Sequence, residues 1–302
     1  MNIPEFGLLS YNNVPTGGIF GFVNTLKSII PNVPKDDTKF ITVWDGKRSR
    51  RRLSVYPDYK QNRNRLHDED YSDYMANFQI QQKLLREKFL PALGVCNITN
   101  VDREADDVIH LICSLYHLDA DKIFVISEDK DMFQLVHHFG NVTIFRPIAK
   151  QTVNLQNFKD EVLVEPRQFL IYKALKGDKS DNIKGIPLIG PKTAQKILNK
   201  GQPRDSSEFF DWIHAEHKKE AEKGRETRVS GIYKQWGVFT RNLELMDMSR
   251  EEFTNHEQVA VANAIDAHIT RYYEDYFLKL CSDYGLQQFI NEKLLWKRMF
   301  EL

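Results

Sequence analysis

Ile123–Asp131 reads IFVISEDKD, an apolar run that closes on two aspartates, Asp129 and Asp131. A short apolar run bounded by turn residues is the pattern of a strand buried on both faces, as in a parallel sheet covered by helices. Phe40–Trp44 (FITVW) ends on Asp45 in the same way, and Val142–Phe145 supplies another such run. Between them, Tyr71–Phe89 and Asp102–Tyr116 read as helices. The latter carries Ala105, Val108, Ile109, Ile112 and Leu115 at helical spacing. Strands alternating with helices predict an α/β fold with a parallel sheet. Beyond Phe145 the pattern turns helical, through Pro166–Lys176 and Lys192–Asn199 and on to Leu302.

Further acids follow the same logic: Glu104, Asp106 and Asp107 in EADD, and Asp178 and Asp181 in GDKSDN. Open parallel sheets gather ligands outside the carboxyl ends of their strands. Carboxylates packed together repel one another unless cations neutralise them, and an acid set without His or Cys suits Mg²⁺ or Mn²⁺. The sequence thus reads as a metal-dependent enzyme acting on phosphate. EADD alone has a plainer reading, since acids at a helix start complement the helix dipole. Asp129 and Asp131 in a turn after a strand can aim at one point, and Gly177 permits a close approach beside Asp178. GDKSDN lacks the GxxxxGK[ST] pattern of a phosphate loop. The stretch from Asp68, DEDYSDYMANFQ, resembles a calcium loop but has Asp73 where glycine is required and Gln79 in place of the final glutamate, so it reads as a solvated helix face.

The 302 residues can bury a sizeable core, and 42 basic residues balance 42 acidic ones, so net charge selects no partner. Distribution is more telling. Residues 46–65 carry Lys47, Arg48, Arg50, Arg51, Arg52, Lys60, Arg63 and Arg65 against the single acid Asp58. Within this stripe RRRLSVYPDYKQNR mixes cations with tyrosines, which suits gripping phosphates while stacking on unpaired bases, though a charged surface can look the same. GIPLIGPKTA, from Gly185 to Ala194, is a Gly/Pro-rich turn between helices that can point backbone N–H groups and Lys192 at a phosphate, or serve as a packing corner. The charged stretch Glu216–Arg228 reads as solvated helix and loop. Cys96, Cys113 and Cys281 lack metal-type spacing and read as reduced core thiols in a cytosolic protein. No run approaches a membrane span, and MNIPEFGLLSYNN lacks the build of an export signal.

The order and wording of PTGGIFGF, VWDGKRSRRR, YPDYKQNR, EADD, SEDKD, GDKSDNIKGIPLIGPKTA and RNLELMD resemble the 5′-nuclease family. That family comprises flap endonucleases, the 5′–3′ exonuclease domain of bacterial DNA polymerase I and the stand-alone phage 5′ nucleases. The resemblance runs from about Val14 into the C-terminal helices. It implies a PIN-like parallel-sheet core over residues 1–165 with a helical arch at about 60–90. Residues 166–302 would then hold a helix-three-turn-helix, around Ile183–Leu198, and further helices. It also implies two divalent ions, Mg²⁺ or Mn²⁺, with Asp45, Glu104, Asp106 and Asp129 framing the first and Asp107, Asp131, Asp178 and Asp181 the second or its water shell. Tyr59, Lys60 and Arg63 match the family's arch-base segment, where the lysine and arginine contact the scissile phosphate. Arg51 and Arg52 belong to the basic stripe expected to bind nucleic acid. Gly185, Gly190 and Lys192 match the hairpin, whose carbonyls in relatives also hold a monovalent cation, here K⁺. The implied activity is hydrolysis of phosphodiesters near 5′ ends of flaps, nicked or 5′-ended duplex DNA and RNA–DNA hybrids, for primer and flap removal in replication. A monomer is expected, aided by a single-strand-binding protein or clamp, in the cytoplasm (the host's for a phage protein).

The family normally begins with a strand ending in a further metal-binding aspartate, whereas Ser10-Tyr11-Asn12-Asn13 holds no acid. The expectation is therefore a true start upstream of Met1. The alternative from another class is a catalytically weak DNA-junction-binding protein that keeps the arch and hairpin. A PIN-like ribonuclease shares the acidic centre but has no need of the duplex-gripping hairpin, and a phosphatase has no need of the basic segment.

Overall fold

The computed structural model describes residues 9–30, 38–64, 69–99 and 102–300. Side chains of residues 63–64 and 69–72 are not described, so the expected arch at 60–90 and the side chain of Arg63 fall partly outside the described residues. The chain forms two compact units, Met1–Gly46 with Leu66–Asp102 and Asn255–Leu302, and Lys47–Arg65 with Arg103–Thr254.

In the first unit, strands Ile41–Val43 and Cys96–Ile98 pair in parallel with Ile41 opposite Cys96. The SYNNVP segment closes a tight hairpin, Ser10–Tyr11 against Val14–Pro15, whose turn places Asn12 and Asn13 at φ 50° and 61°. Asparagine tolerates this left-handed region better than other side chains, and two such residues in a row fit the right-handed twist of a hairpin. Helices Gly17–Ile29 and Glu69–Leu84, the latter running into a π-helical turn at Leu85–Phe89, bury Ile19, Val23, Leu85 and Phe89. Phe277 and Trp296 from the C-terminal helices complete this core.

In the second unit, Ile123–Ile126 pairs in parallel with Val142–Arg146, as the apolar runs predict. Gln151–Val153 adds an antiparallel strand that the sequence did not announce, because three residues are too few to display a period. Helix Ala105–Tyr116 buries Val108, Leu111, Ile112 and Cys113. It starts after the expected Asp102 because Glu104 holds an extended conformation (φ −68°, ψ 140°) at its N-cap. Helix Phe169–Lys176 leads through the short antiparallel pair Gly177–Asp178 and Ile183–Lys184 into helix Pro191–Gly201. Buried Asn242 ties this corner together, its Nδ2 donating to Ala174 O and Lys184 O at 2.9 Å each. All three cysteines are free and buried.

Backbone crowding fixes the corner. Gly177 sits at φ +74°, and a Cβ there would lie 2.2 Å from Gly185 N, while one on Gly185 would lie 2.3 Å from Lys176 C. Gly190 has nothing within 4 Å of a built Cβ. Gly177→Ala and Gly185→Ala are each expected to lose more than about 2 kcal/mol in denaturant unfolding, whereas Gly190→Ala should stay within about 0.5 kcal/mol. Equal losses at all three would contradict the crowding.

Candidate metal and nucleic-acid site

Ser49 caps helix Arg50–Val55 by accepting from Arg52 N at 3.1 Å, and this short helix turns Arg52 into the interior. The guanidinium is 4% exposed. It donates to both oxygens of Asp107 at 2.6 Å, to Glu104 Oε2 at 2.8 Å and, through Nε, to Leu245 O at 2.9 Å. The planar fork of arginine matches a carboxylate in this bidentate way. Arg51 is also drawn inward, donating to Glu251 Oε2 at 3.1 Å and Glu244 O at 2.7 Å. The sequence expectation that Arg52 contacts nucleic acid is thereby corrected: it is a buried clamp on acids. Asp107, expected among the metal ligands, is 1% exposed with both oxygens closed by that clamp. Burial pushes its carboxyl up, with Arg52 opposing.

Tyr59, expected to meet bases, is likewise buried. Its hydroxyl donates to Glu104 Oε2 at 2.9 Å and lies 3.5 Å from Asp181 Oδ2, and burial followed by the Asp181 charge raises its pKa. Lys60 Nζ stands 3.1 Å from Glu104 Oε1, 4.0 Å from Asp181 Oδ2 and 5.0 Å from the Tyr59 ring centroid. Its backbone is left-handed at φ 55°, and its N–H donates to Asp181 O at 2.9 Å. A non-glycine residue held there is strained, and such strain concentrates at functional positions. Asn62 Nδ2 to Lys179 O and Asn182 Nδ2 to Asp58 O bind the same two segments together. Burial pushes Glu104 upward, yet Lys60 and Arg52 hold it below the ordinary carboxylate value.

A second knot forms beside it. Asp129 caps the 3₁₀ turn Lys130–Met132 by accepting from Asp131 N at 2.8 Å. Lys173, 2% exposed on helix Phe169–Lys176, contacts Asp131 Oδ1 and stands 3.0 Å from Asp178 Oδ2. Asp178 Oδ1 accepts from Ser180 N at 2.9 Å and Ser180 Oγ at 2.5 Å. Burial opposes ionisation of Asp178, but Lys173 and Ser180 win and hold it at about 2. Burial lowers and the two aspartates raise Lys173, with a net upward shift.

The second unit thus gathers Glu104, Asp107, Asp131, Asp178 and Asp181 on three cations, with half-buried Asp106 in the first turn of helix Ala105–Tyr116. Asp45 stands exposed two residues beyond strand Ile41–Val43 in the first unit. Gly185, Gly190 and Lys192 fall on the loop and first turn around Pro191, with Gly190 and Lys192 exposed. Sequence reasoning missed Lys173 and Asn242. The available signal for Lys173 was its place four residues after Phe169 on an apolar helical face, just ahead of Asp178.

Does this donor set fit a metal ion? Its oxygens are hard and suit Mg²⁺ or Mn²⁺. Glu104 Oε1 is buried with the Lys60 ammonium 3.1 Å away, and Glu104, Asp106, Asp131, Asp178 and Asp181 line a cavity of about 10 Å³, close to the room one water or small ion needs. As the side chains stand, no three His, Cys, Asp or Glu residues among those described are closed into coordinating geometry. Arg52, Lys60 and Lys173 lie between the carboxylates instead. By donor type and by charge, the residues fit.

Comparison with known proteins gives this α/β frame, with its acid centre and the helical corner after it, a family. Residues 4–165 match the family described as 5′-3′ exonuclease, N-terminal resolvase-like domain, and residues 164–226 match 5′-3′ exonuclease, C-terminal SAM fold. The chain belongs to the 5′-3′ exonuclease family. It is 31% identical over 186 residues to a 5′-3′ exonuclease of Buchnera aphidicola, which covers 62% of this chain and 61% of that one. It is 30% identical over 257 residues to DNA polymerase I of Mycobacterium tuberculosis, covering 82% of this chain and 25% of the polymerase. The match therefore spans about three fifths of the Buchnera exonuclease. The fold is that of the bacteriophage T5 5′-exonuclease solved with zinc, at TM-score 0.63 and 22% identity, covering 90% of this chain and 93% of that one. A T5 flap endonuclease complex with DNA and metal ions gives TM-score 0.61 at 21% identity, covering 85% and 88%. The mixed α/β, PIN-like core expected from the sequence is thus present, and the helical region after it matches a SAM fold. No helix among the described residues is long and apolar enough to cross a membrane.

The clamp and the lysine knot can be checked in solution. Arg52→Ala leaves Asp107 buried and unpaired and is expected to cost about 3–5 kcal/mol of unfolding free energy. A loss below about 1 kcal/mol would mean that the pair is exchangeable with water. Because Asp178 is held at about 2, its pairing stabilises the fold fully above roughly pH 4, the unfolded aspartate value. That contribution fades as pH falls through about 2. The stability gap between wild type and Asp178→Asn should accordingly shrink on acidification across this window, and a constant gap would refute the pairing.

Proposed function

We propose that this chain is a divalent-metal-dependent 5′ nuclease that hydrolyses phosphodiesters near the 5′ ends of DNA flaps, nicked duplexes and RNA–DNA hybrids. The observation that carries the reading is the convergence of Glu104, Asp106, Asp131, Asp178 and Asp181 around one small cavity. Glu104, Asp106, Asp129 and Asp181 would hold a first Mg²⁺ or Mn²⁺, and Asp131 and Asp178 a second. Bound there, such ions lower the pKa of an attacking water and neutralise the scissile phosphate.

The chain's own residues supply the rest. Arg52 keeps Glu104 ionised and oriented through its hold on Asp107 and Leu245 O. Lys60, fixed in a left-handed conformation over the acids, adds positive charge on the substrate side, and Arg63 is proposed to act with it. The exposed Lys192 and the Gly185–Gly190 loop grip duplex phosphates, recognising shape rather than sequence, with K⁺ on the loop carbonyls. In this reading residues 1–165 carry most of the chemistry, and residues 166–302 add Asp178 and Asp181 to the metal site and supply the duplex grip. Primer and flap removal in replication is the role that such an activity serves.

A 5′-labelled flap tests this reading. Cleavage should require Mg²⁺ and stop with EDTA. Asp131→Asn and Asp178→Asn should each lower the rate at least about 10²-fold while flap binding in Ca²⁺ stays within a few-fold. Undiminished cleavage by either variant would refute the assignment, and binding without cleavage by the wild type would favour a junction-binding protein.

A further inference from the structure

Lys173 is the most deeply buried cation of the site, and the reaction as described makes no use of it. Its ammonium is 2% exposed and lies between Asp131 Oδ1 and Asp178 Oδ2. Asp178 Oδ1 accepts two hydrogen bonds from Ser180, and the Asp131 backbone is tied to Asp129. An ion bridging Asp131 and Asp178 therefore competes with Lys173, which already holds one oxygen of each. The two carboxylates that hold the ammonium are themselves 17% and 18% exposed, so its way to water leads past them and past any ion they bind. A displaced ammonium stays close to the incoming ion, and like charges at close range in a buried setting repel strongly.

We propose that Lys173 is an internal counter-ion that competes with a divalent ion for Asp131 and Asp178. It is a positioning residue. Without metal, it keeps two facing carboxylates ionised and together, sparing the fold their mutual repulsion. With metal, it makes the ion at this pair bind more weakly than the one at Glu104, Asp106 and Asp129, so the two ions load in order. This inference rests on the metal reading above and adds the ranking of the sites and the residue that sets it.

The test is a Mn²⁺ titration of the full chain without nucleic acid, with free Mn²⁺ read by electron paramagnetic resonance. Wild type should show a tight and a weak class of sites. Lys173→Met, similar in length and uncharged, should tighten the weak class by roughly tenfold or more and leave the tight class unchanged. An unchanged or loosened weak class overturns the proposal. Absence of Mn²⁺ binding in both proteins would overturn the metal reading and this inference with it, whereas two bound ions with no effect of the substitution would overturn this inference alone. Should Lys173→Met fail to fold, the wild type decides. Acetylation of the Lys173 amine by acetic anhydride, read by mass spectrometry, should rise only when Mn²⁺ reaches the concentration that fills the weak class. Protection that stays constant through that range overturns displacement.

Discussion

Crowded negative charge is the constraint on which this molecule's second unit is built, and the guanidinium of Arg52 is its first answer. Asp107 closes both oxygens on it and Glu104 adds a third contact at 2.8 Å. Acids at this burial can remain ionised only where a fork of donors replaces the water they have lost. The anchor fixes the first turn of helix Ala105–Tyr116 against helix Arg50–Val55, and thereby sets where Glu104, Tyr59 and Lys60 can stand. Lys173 gives a parallel answer for Asp131 and Asp178. Seen this way, the basic stripe and the acidic centre are one electrostatic system. Part of the stripe exists to let the acids be buried at all.

The strained Lys60 follows from the same constraint. Its left-handed backbone is held by a hydrogen bond to Asp181 O and by asparagine bridges between the two segments. These contacts replace the freedom of a loop with a fixed position for a cation over carboxylates. On the far side of GDKSDN, Gly177 and Gly185 approach so closely that a single methyl group would collide with backbone. The acid motif and the exposed loop beyond it are consequently two ends of one rigid corner, which couples chemistry to grip in the proposed nuclease.

Much of the fold was legible in the sequence. IFVIS and FITVW gave strands in the expected parallel sense, but not with both faces buried: Phe124 and Ile126 are exposed and Ile41–Val43 is half-buried. The acids of EADD, SEDKD and GDKSDN announced their own gathering. What stayed hidden was which charged residues turn inward. RRRLSV reads as a solvated run, and only the Ser49 cap of a one-and-a-half-turn helix sends Arg52 to the interior. Charge patterning reports composition along a chain, not the direction a short helix points its side chains. Tyr59 was misplaced for the same reason: a tyrosine among cations suits base stacking and carboxylate binding equally well in sequence. Lys173 escaped because a lysine on an apolar face is usually assigned to snorkelling, and the partners that justify its burial lie more than forty residues away for Asp131.

The central claim, that these carboxylates hold divalent ions, is tested most directly by anomalous diffraction from crystals of the full chain grown with Mn²⁺. A Mn²⁺ peak is expected among the carboxylates of Glu104, Asp106 and Asp129, with Asp107 still clamped by Arg52. Mn²⁺ found only elsewhere on the molecule, or none at saturating concentration, would contradict it.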